Sequence, residues 1–252
     1  MNSEDRLRFV VEELARTGRV GVAELAHDTG TSEMTIRRDL DLLQSQGLVR
    51  RVRGGAVGVA LRGEVIPFAL RDKQGKDVKR RLAAAVAELI SDGEAVALDN
   101  GTTCLAVARE LSGRAITVMP LSLHSAMVLG ESARTKLIMP GGEVSSPELA
   151  SYGATAEAGV RGIHFDTAVV SSCAALPAHG LTTNTLADAA MKRALIQSSA
   201  RVVLAIESAK LERTAMVTVA GPDAVDVLVT DADADAEALE VYRSADVEIR
   251  LA

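Results

Sequence analysis

Between residues 31 and 46 the chain reads TSEMTIRRDLDLLQSQ, and Ile36, Leu40 and Leu43 fall at i, i+4 and i+7. This spacing lays one apolar stripe along a helix that must pack on something, while Met34, Thr35, Arg38 and Asp41 point elsewhere and Arg37 lies to the side. Ser32 can cap the helix by accepting a hydrogen bond from its first turn, so a helix over about Glu33 to Gln46 is predicted, with Gly47 beyond it. Upstream, Leu7, Val10, Val11 and Leu14 repeat the helical pattern until Gly18. A short second helix is predicted from about Ala23 to Thr29, with Leu25 and Ala26 inward, the apolar Val20 and Val22 before it and a turn at Gly30. Downstream the period changes. Leu48, Val49 and Val52 interleave with Arg50, Arg51 and Arg53 before Gly54-Gly55, which predicts a β-hairpin with arginines at its tip.

From residue 79 onward short apolar runs alternate with amphipathic ones. Leu82, Val86, Leu89 and Ile90 form a helical stripe that stops at Gly93. Strands are predicted at Ala95 to Leu98, Ile116 to Met119, Leu137 to Met139, Thr167 to Val170, Arg201 to Ile206 and Val225 to Val229. Helices are predicted at Thr103 to Leu111, Leu123 to Leu129, Leu186 to Ser198 and Ala236 to Arg243. This order implies a mostly parallel, Rossmann-like α/β sheet covered on both faces. Between the two regions, residues 59–78 read as a joint broken by Gly63, Pro67 and Gly75. The expected division is therefore 1–58, a linker 59–78, and 79–252.

Charge sharpens the first region. The net charge is −6, yet residues 1–58 hold nine Arg against nine Asp or Glu, so the excess acid lies beyond them. From Arg37 to Arg53 there are five Arg against Asp39 and Asp41. A basic helix beside a basic hairpin is a nucleic-acid footprint, since a guanidinium can bind guanine or phosphate in a bidentate fashion. The helix alone leaves a second reading open, a solvated face whose Arg37 and Arg38 pair with Glu33 or Asp41.

The run VAELAHDTGTSEMTIRRDLDLLQSQGLVRRVRGGAV resembles the N-terminal domain of the DeoR family of bacterial transcription regulators, with its TIRRDL helix and R-x-x-GGA hairpin, over residues 4–58. The resemblance implies a winged helix-turn-helix bound to the major groove of double-stranded operator DNA. Its implied contacts are Ser32, Thr35, Arg37, Arg38, Arg50, Arg51 and Arg53, with Gly54 and Gly55 forming the wing. In the joint, Glu64, Pro67, Phe68 and Arg71 fit the stretch that connects the domains in that family.

Asp99-Asn100-Gly101-Thr102-Thr103 follows a predicted strand and opens a predicted helix. Gly101 allows close backbone approach, the threonines offer hydroxyls, and the helix start offers free N–H groups, which together suit a phosphate. A helix merely capped by Asp99 is the plainer alternative. The stretch also resembles the D-x-G-T-T of the DeoR family's C-terminal domain, a fold of the ribose-phosphate isomerase type. Further landmarks are Gly141-Gly142, Phe165-Asp166, Gly180-Leu181-Thr182, Lys192 and Lys210, extending the resemblance over about residues 76–232. It implies a sensor for a small phosphorylated sugar or related metabolite, with Asp99, Gly101, Thr102, Thr103, Gly141, Gly142, Lys192 and Lys210 around the effector. Met119-Pro120, Ser171-Ser172-Cys173 and Glu207-Ser208-Ala209-Lys210 depart from the family pattern. From residues alone, Lys192 could equally be a surface pair with Asp188, and Lys210 an exposed loop lysine.

No catalytic residue, cofactor or metal is expected. Cys104 and Cys173 lack metal-like spacing and read as packing residues, and His27, His124, His164 and His179 are scattered. No apolar segment suits a membrane, and a cytoplasmic location is expected. The resemblance implies a transcriptional repressor of a carbohydrate operon, acting as a homodimer or higher homo-oligomer. Two other readings stay open: a sugar-phosphate isomerase or deaminase with a DNA-binding appendage, and a regulator whose second domain only oligomerises. The SSCAAL stretch holds no acid where isomerase relatives carry an acidic loop, which argues against catalysis.

Overall fold

The computed structural model describes residues 2–17, 19–45, 49–58, 68–146 and 148–252, and the chain divides into two compact units, Met1–Arg71 and Asp72–Ala252. The first contains α1 (Ser3–Thr17), β1 (Arg19–Gly21), α2 (Val22–Thr29), α3 (Glu33–Ser45), β2 (Val49–Val52) and β3 (Gly55–Gly58). Each predicted apolar stripe becomes one side of a single core. Val10 and Leu14 of α1, Leu25 of α2, and Ile36, Leu40 and Leu43 of α3 close over Val20, Val49 and Ala56. Gly18, Gln46, Gly47, Leu48, and Gly63, Glu64 and Pro67 of the joint lie outside the described residues.

The strands form an antiparallel sheet in the order β1-β3-β2, a helix-turn-helix with a wing. Strand β1 is too short to show an alternation in sequence. Val22, grouped there with Val20, is instead the first residue of α2, because Gly21 supplies the extended cap at φ −96° and ψ 141°. The wing turns on Arg53-Gly54, with Val52 opposite Gly55. Gly54 has φ 79°, and a Cβ on Gly55 would stand 2.0 Å from the Val20 carbonyl oxygen. The two glycines thus serve different needs, a left-handed turn and a close strand approach.

Helix α4 (Phe68–Lys73) straddles the division of the chain, and Gly75 at φ 58° turns it into α5 (Lys76–Glu88), so much of the described joint is helical. The second unit continues with β4 (Ala95–Leu98), α6 (Thr102–Leu111), β5 (Thr117–Pro120), α7 (Leu123–Gly130), β6 (Lys136–Leu137), β7 (Glu143–Ser145), β8 (Ala150–Tyr152), α8 (Ala154–Arg161) and β9 (Phe165–Val170). It ends with β10 (Leu181–Thr183), α9 (Leu186–Gln197), β11 (Ser199–Ala205), β12 (Val217–Ala220), β13 (Val227–Thr230), α10 (Ala236–Ser244) and β14 (Glu248–Leu251).

Seven strands make one parallel sheet in the order β14-β13-β11-β9-β4-β5-β6. Its alternating residues feed two cores: Val96, Leu98, Val169 and Val203 face α5, α6 and α7, while Ala97, Ala168, Val170 and Leu204 face α8, α9 and α10. Burial on both sides explains why the strands read as continuous apolar runs. From β4 the chain builds outward through β5 and β6, then crosses to β9 on the other side of β4. The order therefore reverses at β4, the point at which sheets of this kind form a ligand crevice beyond the carboxyl end of the strand. Two small antiparallel pairs, β7–β8 and β10–β12, stand apart from the main sheet.

The wing geometry gives a first prediction. Gly54→Ala places a side chain at positive φ in open space and should cost about 1–2 kcal/mol. Gly55→Ala must push β3 off β1 and should cost more, with loss of DNA binding. Denaturant unfolding of the N-terminal unit checks the order of the two, and equal effects would contradict it.

Candidate functional site

The outward face of α3 has been sorted by its own ion pairs. Ser32 Oγ accepts from the Thr35 N–H at 3.2 Å and lies 2.9 Å from Thr35 Oγ1, so the predicted cap forms. Arg37 Nη2 pairs with Glu33 at 2.8 Å, both side chains half exposed. Arg51, expected at the DNA backbone, donates from Nη1 to Asp41 Oδ1 at 2.7 Å and to the Arg37 carbonyl at 3.0 Å. Arg38 and Arg53 are exposed and make no hydrogen bond or ion pair among the described residues. Of the solvated-face reading, the Glu33 pairing holds for Arg37 and not for Arg38. Arg50 stands on β2 opposite Val57, its side chain outside the described set. Asp39 leaves the surface altogether: Arg6 of α1 binds it through Nε at 2.5 Å and Nη2 at 3.2 Å, both buried. That pair clamps α3 on α1 and leaves the outward face more basic than its sequence.

In the second unit the crevice at β4 is floored by a buried charge cluster. Lys192 Nζ lies 2.5 Å from Asp99 Oδ2 and 3.5 Å from Asp188 Oδ2, so its bond to Asp188 is no surface pair. Asp99 also accepts from the Ser171 N–H at 3.0 Å. Asp188 accepts from Asn100 Nδ2 at 2.8 Å, from Tyr152 Oη at 3.4 Å, and closely from Thr183 Oγ1. Burial pushes the Asp99 carboxyl up, and Lys192 offsets this only in part. Burial also opposes ionisation of Asp188, but Lys192 and the bonds from Thr183 and Asn100 outweigh it and hold the group below its ordinary value. For Lys192 the cost of burial is exceeded by attraction to Asp188 and Asp99, which raises its pKa.

Asp99 faces Lys192 and does not cap α6, whose N-cap position is Gly101. Gly101 begins that helix at φ 101° and ψ 171° with no side-chain cap, and a Cβ there would meet nothing. The first N–H groups of a helix have no acceptor within it. Beside them, buried Asp99 Oδ1 and Thr103 Oγ1 lack a hydrogen-bond partner among the described residues. Donors and acceptors are thus presented together where the strand order reverses.

The remaining candidates sit further out. Gly141 and Gly142 pack against the start of α8, where a Cβ on Gly142 would lie 2.5 Å from the Tyr152 carbonyl oxygen. Lys210 pairs with Glu207 at 3.6 Å. Met119 and Pro120 are buried on β5; Ser172 Oγ donates to the Ala174 and Thr182 carbonyls; Cys173 Sγ is 3.4 Å from Thr183 Oγ1. Cys104 is buried, which pushes its thiol up as a packing residue requires. Sequence reasoning passed over Asn100 and Tyr152 as partners of Asp188. Their shared signal is a polar residue, a glycine and a small helix start, NGTT and YGAT, and Gly153 begins α8 at φ 91° and ψ 175°.

Fold and site together define a winged-helix DNA-binding regulator with a parallel α/β sensor unit. Residues 6–60 match the DeoR-like helix-turn-helix domain and residues 74–232 the DeoR C terminal sensor domain. The chain belongs to the DeoR family. It is 32% identical, over 97% of its length and 96% of the relative's, to the HTH-type transcriptional regulator GlpR of Haloferax volcanii. It is 29% identical, over 99% of its length and 94% of the relative's, to the putative aga operon transcriptional repressor of Escherichia coli O157:H7. Among solved structures, ribose 5-phosphate isomerase A from Methanocaldococcus jannaschii aligns at TM-score 0.41 and 14% identity, covering 54% of this chain and 55% of that one. Among the described residues no helix is long and apolar enough to cross a membrane.

The two carboxylates predict opposite responses. Asp188 lies below its ordinary 3.8, so its stabilisation is full above that value and is lost as pH falls through the lower, folded one. Asp99 is raised, so folding favours its protonated form, and its cost to stability builds up as pH rises from 3.8 to the higher, folded value and is complete above it. At pH 7 Asp188→Asn should therefore lose about 3 kcal/mol, roughly 6–12 °C in Tm for a unit of this size. Asp99→Asn should be milder, because Lys192 and Ser171 alone bond Asp99 whereas Asp188 also meets Thr183, Asn100 and Tyr152. Calorimetry on both variants checks this, and the reverse ranking would make Asp99 the main counter-ion of Lys192.

Proposed function

We propose that the chain represses a carbohydrate-metabolism operon from the cytoplasm, binding double-stranded operator DNA as a homodimer or higher homo-oligomer and releasing it when a small phosphorylated sugar occupies the crevice at β4. The observation that carries the DNA reading is the face of α3, where Ser32 and Thr35 are fixed by the cap and Arg38 stands exposed, with Arg53 exposed at the wing tip. In this reading Arg38 meets base edges in the major groove, while Arg37, Arg50 and Arg53 meet phosphates. Gly54 and Gly55 shape the wing rather than touch DNA through side chains. The related regulators, one of them named for the aga operon, support the operon class.

The effector would place its phosphate on the free N–H groups of Thr102 and Thr103 beside Gly101, with Asp99 Oδ1 accepting from a sugar hydroxyl. Gly141 and Gly142 would hold α8 against the crevice, Lys192 would hold Asp99 in place beside the effector, and Lys210 would add positive potential at its edge. Membership of a family of regulators supports a non-catalytic role, as does the lack of an acid in the SSCAAL stretch. Effector binding need only favour one conformation by about 1–3 kcal/mol to weaken operator binding roughly 5- to 150-fold.

Fluorescence anisotropy on the DNA upstream of the chain's own gene, with and without a panel of sugar phosphates, tests the whole reading. One compound is expected to release the DNA, and Gly101→Val should bind DNA normally but ignore that compound. A panel without effect would remove the sensing role. Arg38→Ala should weaken binding by about 1–3 kcal/mol and relax sequence preference. Wild-type affinity in that variant would refute the docking, and a monomer sedimenting on a single half-site would refute the assembly.

A further inference from the structure

We propose that Arg51 is a positioning residue that pins the wing to the recognition helix, and not a contact to the DNA backbone. This rests on α3 being the recognition helix, and it assigns one of the wing arginines a different task. Residue 51 makes three bonds to α3. Its backbone N–H donates to Gln44 Oε1 at 3.2 Å, and its Nη1 donates to Asp41 Oδ1 at 2.7 Å and to the Arg37 carbonyl at 3.0 Å. The three acceptors span two turns of α3, so strand β2 is held in both height and tilt along the helix.

The burial agrees with this role. The Arg51 side chain is 27% exposed, and its Nε is buried without a partner among the described residues, whereas Arg53 is exposed at the turn. Asp41 is 68% exposed on the same face of α3. An acid there repels DNA, so its presence needs a use, and holding Arg51 supplies one. A guanidinium suits the task because its planar fork reaches a carboxylate and a carbonyl together, which the point charge of a lysine does not reproduce.

The strut and the contact differ in sign and in salt dependence. A phosphate contact contributes about 0.9 to the slope of log K against log salt. Titrations of the full chain on the DNA upstream of its own gene, over a salt series, should show Arg51→Ala weakened about fivefold or more with the slope unchanged. Arg51→Lys should be as weak as Arg51→Ala. Asp41→Asn should also weaken binding, although it removes a negative charge, and the double variant should be no weaker than Arg51→Ala. A slope lower by about one in Arg51→Ala, rescue by Arg51→Lys, or tighter binding by Asp41→Asn would each overturn the proposal. If Arg51→Ala does not fold, the sign of the Asp41→Asn effect decides alone. Arg38→Ala run in parallel separates the two readings: if it too is silent, it is the docking of α3 that fails.

Discussion

One ammonium group organises the second unit. Burying Lys192 carries a desolvation cost of several kcal/mol, which is recovered only where carboxylates and further hydrogen bonds meet it with good geometry. Its two partners come from opposite ends of the unit. Asp99 closes β4, 93 residues before Lys192, and Asp188 lies one turn away on α9. To satisfy both, the end of β4, the loop after β9 and the first turns of α9 must share one register. Ser171 then adds a second bond to Asp99 Oδ2, and Thr183, Asn100 and Tyr152 complete Asp188, so β8, β10 and the start of α6 are drawn to the same point. The uncapped start of α6 has a separate cause, since its N-cap position is Gly101, which has no side chain to close the turn.

The DNA-binding unit applies the same economy of charge to a different end. Arg6 takes Asp39 into the core, Glu33 occupies Arg37, and Asp41 occupies Arg51. Exposed pairs of this kind add little stability, so their effect is chiefly one of selection among arginines. Arg38 and Arg53 are left outward, one on the helix and one on the wing. Such sorting lets a chain of net charge −6 present a locally basic edge, while its excess acid stays in the other unit.

Elements with a long or doubly buried pattern were legible from sequence. Strand β4 was read to the residue, and α3, α6 and α9 within a residue or so among the described positions, because their apolar spacing was uninterrupted. Strands β1, β10, β12 and β14 were not, since β1 and β10 have only three residues, β12 lacks a continuous buried run, and β14 is exposed along much of its length. Helix α8 was missed because its buried side offers only Ala156 and Val160. The candidate site was legible in location, through DNGTT, but not in its electrostatics. Spacing alone gives Asp188 and Lys192 as an i, i+4 pair and says nothing of depth. The clue lay one step on, where Leu195 continues the row from Asp188 and Lys192 into the core.

The balance of charge at the crevice constrains what it can bind under the proposed reading. Two carboxylates against one ammonium leave the cluster with excess negative charge whenever both are ionised, and Asp188 adds to the rise that burial imposes on Asp99. Attraction for an anion must then come from the N–H groups and dipole of α6, a contribution of about 0.3–1 kcal/mol, or up to about 2 where partly buried. A bare anion gains that much and nothing from Asp99 Oδ1, which still lacks a partner. A ligand with an anionic end at α6 and a hydroxyl at Asp99 satisfies both, and it converts the repulsive carboxylate into an acceptor that is used. The geometry therefore favours a polyol carrying one phosphate over inorganic phosphate, and it does so through the hydroxyl rather than the charge.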